Sequence, residues 1–157
     1  MKQTKEVRRA FAIRDSKRKA LGRLGENVTK KLLIEKGFRF IEATYRKKCG
    51  ELDLVMEKDG KTCFFEVKTV SREMFLDQQA YISRETSAEK QTEGEQSIRP
   101  EENMTHRKLA RITRTINMWL MEHNCDENTD WSFHVALVYC SQRHKKFYVK
   151  MLWNVIL

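Results

Sequence analysis

The chain has almost no punctuation. It holds one proline and six glycines in 157 residues, so neither a proline-rich linker nor a glycine-rich spacer divides it. No glycine-rich phosphate loop occurs, and no Gly-x-Ser-x-Gly nucleophile pattern. No apolar run approaches the roughly 20 residues of a membrane-spanning helix. The first twenty residues lack a secretory apolar core and a small-residue cleavage site. The four cysteines, Cys49, Cys63, Cys125 and Cys140, show no paired spacing. They read as reduced intracellular thiols and not as a disulfide framework or a zinc site. His123 and Cys125 stand close in sequence but lack two further ligands. These absences leave one ordinary domain with a cytoplasmic location and no membrane partner.

What the chain has in excess is positive charge, +9 overall with a pI near 9.5. A balance of that size points to a polyanion, with nucleic acid ahead of a membrane surface. The charge is uneven. Residues 1–23 carry nine lysines and arginines, ending at Arg23, against Glu6 and Asp15. They form a basic N-terminal arm, either a phosphate-gripping or merely a solvated one. Residues 24–157 make the domain proper. Within it, residues 72–103 carry eight acids against four bases and read as a flexible acidic insertion.

The most informative stretch runs from Gly50 to Thr69. Glu51–Met56 and Thr62–Thr69 read as two strands joined at Asp59-Gly60, a strong two-residue hairpin signal. Counting back from that turn sets Val55 opposite Phe64, Asp53 opposite Glu66 and Glu51 opposite Lys68. Opposed residues share a face with Cβ atoms roughly 4.5–5.5 Å apart, and like charges so placed are destabilising. The other face, from Leu52 to Val67, is wholly apolar, so the hairpin is covered and its charges need a reason. A divalent cation between Asp53 and Glu66 supplies one. Two carboxylates completed by water and phosphate oxygens suit Mg²⁺, with Mn²⁺ as a substitute. Lys68 would face the same space and offset charge on a phosphate. A charged strand end is the plainer alternative.

Around this hairpin the pattern predicts a helix over 24–36 ended by Gly37, with Gly25 allowing close approach to a sheet and Glu26 beside the buried stripe. A strand over 38–45 follows. Tyr45, Arg46, Lys47 and Lys48 then form a basic loop suited to gripping a phosphodiester, or an ordinary exposed connection. Thr105 caps a second long helix reaching about His123, with Leu109, Ile112, Ile116, Trp119 and Leu120 as its apolar stripe and Arg107, Arg111 and Arg114 opposite. Strands are expected over 131–139 and 147–156.

Taken together, Gly22-Arg23-x-Gly25-Glu26, Gly37-Phe38, Tyr45-Arg46, Gly50-Glu51-Leu52-Asp53-Leu54-Val55 and Phe65-Glu66-Val67-Lys68-Thr69 resemble the YraN family of small bacterial proteins. The likeness is continuous over about a third of the chain. That family is similar to the PD-(D/E)xK nuclease superfamily. The resemblance implies a restriction endonuclease-like α/β core, a mixed central sheet flanked by helices in α-β-β-β-α-β order. It implies Asp53, Glu66 and Glu26 as metal ligands, and Lys68 as the group that positions or activates the attacking water. Members usually carry Phe-Asp-Val in the late strand, where this chain has Phe133-His134-Val135. The expectation is therefore a Mg²⁺-dependent endonuclease hydrolysing phosphodiester bonds in DNA. It would read backbone, or a branched, repair-related shape, through Arg23, Tyr45, Arg46, Lys47 and Lys48. Such folds often act as homodimers on two strands. A non-catalytic nucleic-acid-binding module on the same fold is the alternative, and a protein-interaction scaffold built on residues 72–103 is a third.

Overall fold

The computed structural model describes residues 2–71, 105–141 and 145–157, with side chains from residue 12 onward. The elements run α1 (Lys2–Glu35), β1 (Arg39–Lys47), β2 (Gly50–Lys58), β3 (Lys61–Ser71), α2 (His106–Glu122), β4 (Trp131–Ser141) and β5 (Lys146–Leu152). The five strands form one sheet in the order β1-β2-β3-β4-β5. All neighbours are antiparallel except β3 and β4, which are parallel. A parallel pair needs a crossover, and α2 lies on that connection. The result is a mixed α/β fold consistent with a restriction endonuclease-like core. The acidic insertion expected over 72–103 lies outside the described residues.

Among the described residues, each face of the sheet carries one helix. Leu33 of α1 packs with Phe38, Leu54, Met56, Cys63 and Phe65. Ile112, Ile116 and Trp119 of α2 pack with Val55, Phe64 and Phe133 on the other side. Adjacent residues of β2 and β3 thus point to opposite helices, as period-two alternation requires. Thr105 is the N-cap of α2, its side chain accepting from Lys108 N.

The basic arm and the first helix are one element. Nothing between Lys2 and Glu35 stops the helix: there is no proline, and Gly22 and Gly25 keep helical dihedrals. The composition changes near residue 23 while the backbone does not. Gly25 is required where it stands, because a Cβ there would collide with Thr69 Oγ1 on β3. Gly37 ends the helix with φ +86°, a conformation glycine adopts without a Cβ penalty.

The expected turn is present. Asp59 and Gly60 both have positive φ, 52° and 78°, as a type I′ hairpin needs. The pairs Lys58–Lys61, Val55–Phe64 and Leu54–Phe65 follow the predicted register. β1 runs two residues further than predicted, to Lys47, so only Lys48 and Cys49 connect it to β2. The expected basic loop is therefore mostly strand.

Candidate functional site: a carboxylate cluster where two strands part

The β2–β3 ladder ends at Leu54–Phe65, one step before the predicted Asp53–Glu66 pair. β3 continues beside β4 as far as Ser71–Cys140. The strands part at Asp53, and Asp53 fills the opening: its Oδ2 accepts the Val67 N–H at 2.6 Å. The alternation of β2 slips at the same residue. Gly50 faces Thr115 of α2 and Leu52 packs beneath α2, whereas Leu54 packs beneath α1. β1 adjusts opposite. Its ladder pairs Ala43 with Leu54 and Tyr45 with Leu52. Thr44, between them, has φ 57°, which is strained for a β-branched residue.

This geometry draws four carboxylates into one field. Burial first, then Glu66, push the Asp53 carboxyl up to about 7, and Glu26 and Glu51 push the same way against the Val67 hydrogen bond. Glu26 on α1 is raised too, by burial and then Glu51, with Arg46 and Arg23 opposing. Lys68 is pushed below the usual lysine range by burial and then by the Lys108 ammonium beside it, while Glu66 and Asp53 pull it upward.

Glu66 has a partner the sequence did not announce. Lys108, in the first turn of α2, forms a part-buried ion pair with Glu66 Oε1. Glu51 does not pair with Lys68; it accepts from Arg46 Nε at 2.9 Å, because the ladder that would have joined them has ended. An open pocket of about 290 Å³ adjoins Glu66, lined by Gly50, Glu51, Arg107, Lys108 and Arg111. The first turn of α2 carries no acid but holds His106, Arg107 and Lys108. Cations at a helix N-terminus oppose the helix dipole, and Lys108 is offset by its pair with Glu66 on β3.

Of the residues expected to grip nucleic acid, Arg23, Arg46 and Lys48 are exposed. Tyr45 is not available for stacking. It is buried in the core, its hydroxyl donates to Glu122 Oε2 at 2.9 Å, and burial raises it above the usual phenol range. Lys47 is tied to the same carboxylate at 2.7 Å. Lys47 itself stays exposed on the extended end of β1.

His134, which stands where an Asp was expected, faces away from Lys108, with its ring against Phe65 and Trp153. Its Nδ1 accepts the Asn154 N–H at 2.9 Å, so its hydrogen lies on Nε2, 2.8 Å from Ser132 Oγ. Burial pushes it down to about 4. This His–Ser pair is a neutral core contact in which the histidine donates, so it does not activate the serine.

Among the described residues, no group of three His, Cys, Asp or Glu side chains is gathered to hold a metal ion. The expected trio of Asp53, Glu66 and Glu26 is not closed: Asp53 is drawn to Val67 N and Glu66 to Lys108. The donor chemistry still fits Mg²⁺. The oxygens are hard, two carboxylates leave positions for water and phosphate, and burial and three acidic neighbours all leave Asp53 short of positive charge.

A model of the uncharacterised protein family UPF0102 matches residues 25–138. The chain belongs to that family. Among its relatives, a UPF0102 protein of Campylobacter fetus subsp. fetus is 27% identical over 131 residues, 83% of this chain and 88% of the relative. One from Alkaliphilus oremlandii is 24% identical over 136 residues, 87% and 97%. A third, from Alkaliphilus metalliredigens, reaches 47% over 51 residues, 32% of this chain and 45% of the relative. UPF0102 is the YraN family that the sequence motifs resemble. The match begins at Gly25, so the whole basic arm, residues 1–23, lies before it. No helix among the described residues is long and apolar enough to cross a membrane.

Proposed function

We propose that this UPF0102 protein is a Mg²⁺-dependent endonuclease that hydrolyses phosphodiester bonds in DNA. The observation that carries the reading is the part-buried Asp53 carboxyl at the parting of β2 and β3, its Oδ2 on the Val67 N–H and its pKa raised to about 7 by burial and Glu66, with Lys68 within its electrostatic reach. Confining acids in this way is costly, and carboxylates so perturbed cluster where a cation or substrate uses them.

Asp53 and Glu66 would hold the ion, with Glu26 reaching it through water. Bound there, Mg²⁺ supplies positive charge to the scissile phosphate and lowers the pKa of an attacking water. Lys68 orients that water or takes its proton, a role its depressed pKa favours. Arg107 and Arg111 hold the phosphodiester in the adjoining pocket. Arg23, Arg46 and Lys48 lie outside it and bind flanking backbone. Nothing in the described residues resembles a base-reading element, so selection is by backbone path or branched shape.

The test is incubation of the protein with Mg²⁺ or Mn²⁺ and linear, nicked, branched and single-stranded DNA. Cleavage that persists in Asp53→Asn or Lys68→Ala refutes the assignment.

The Lys108–Glu66 pair favours one further reading, a module that binds DNA without cutting it, since a lysine already answers one carboxylate. Calorimetry separates the two. Divalent-cation binding that depends on Asp53 and Glu66 belongs to the nuclease and not to the module.

A further inference from the structure

The geometry points to Lys108 as a displaceable counter-ion, one that leaves Glu66 when a divalent cation arrives and turns to the substrate phosphate. The inference rests on the metal reading above and adds a moving part to it.

Three observations carry it. Lys108 pairs with the same carboxylate that would ligate the cation. It sits at a helix N-terminus, where its charge opposes the dipole and α2 itself gives it no acidic partner. Its side chain is about one-quarter exposed and lines the open pocket beside Arg107 and Arg111, so it has somewhere to go. Lys68 stands against it. Two ammonium groups and a divalent cation cannot share one carboxylate without strong repulsion. Lys108 lines the open pocket and Lys68 does not. The group that yields is Lys108. The ion pair thus keeps Glu66 satisfied before the cation binds. Afterwards the same ammonium is free to meet an anion in the pocket.

The experiment reads amine reactivity. The full chain is acetylated briefly with and without Mn²⁺, and labelling of Lys108 is measured by mass spectrometry against exposed Lys17. Lys108 labelling should rise several-fold with Mn²⁺ in wild type and stay unchanged in Asp53→Asn. In calorimetry, Lys108→Gln should bind Mn²⁺ about two- to fivefold more tightly, as loss of a competing ion pair predicts, and Lys108→Arg should not. Wild-type Mn²⁺ binding with unchanged Lys108 labelling overturns the counter-ion alone. No Mn²⁺ binding by wild type overturns the metal reading and this inference with it.

Discussion

Replacing Asp53 with Asn should make this protein more stable at alkaline pH when divalent cations are absent. The Asp53 carboxyl is raised from 3.8 to about 7 in the folded chain. Between those values the folded state holds a proton that the unfolded state has released. Stability therefore falls as pH rises through that window, fully present below about 4 and lost above about 7. The rise corresponds to about 4 kcal/mol. Asn is neutral throughout, and its carbonyl oxygen can still accept the Val67 N–H. The variant should match wild type near pH 4 and exceed it by up to about 4 kcal/mol near pH 8. At about 3 °C per kcal/mol for a domain of this size, that is about 10 °C in Tm. Urea denaturation in EDTA from pH 4 to 8, followed by circular dichroism, measures the difference. Added Mg²⁺ should restore wild type at pH 8 and leave the variant unchanged. A variant less stable than wild type at pH 8, or a difference that does not vary with pH, would refute the account of Asp53.

Other perturbations test the frame around the site. Gly25→Ala should cost about 1–3 kcal/mol in urea unfolding, because the new methyl meets Thr69; an unchanged midpoint would mean that α1 can shift. Thr44→Gly should stabilise by about 1 kcal/mol through relief of its positive φ, and a lower Tm would contradict the strain. Leu33→Ala, in the fully buried stripe of α1, should cost about 2–5 kcal/mol. If Arg107 contacts phosphate, Arg107→Ala should lower the slope of log K against log salt by about 1 for DNA binding. A slope equal to wild type would remove it from the interface.

The hairpin register was readable because Asp59-Gly60 fixes both the turn and the count of residues on either side. The α2 cap and stripe were readable because Thr105 and the apolar spacing agree. The parting of the strands was not. Period-two counting assumes that the ladder continues, whereas Asp53 takes the place of a strand partner on Val67 N. The same slip sent Glu51 to Arg46 instead of Lys68. Lys108 is 42 residues from Glu66, a contact that no local pattern encodes. Its one trace in sequence is three bases at a helix start, where acids are favoured. Arg46 and Lys47 were expected in a loop for a simpler reason: basic residues suggested one, yet backbone pairing with β2 extended the strand through them.

The slip at Asp53 divides β2 into two runs of opposite phase. Before it, even-numbered side chains look toward α2; after it, they look toward α1. A one-residue deletion on either side would restore a continuous alternation and zip the sheet shut. The seam that holds the carboxylates apart is thus a counting property of the chain, and closing it would leave a continuous ladder in their place.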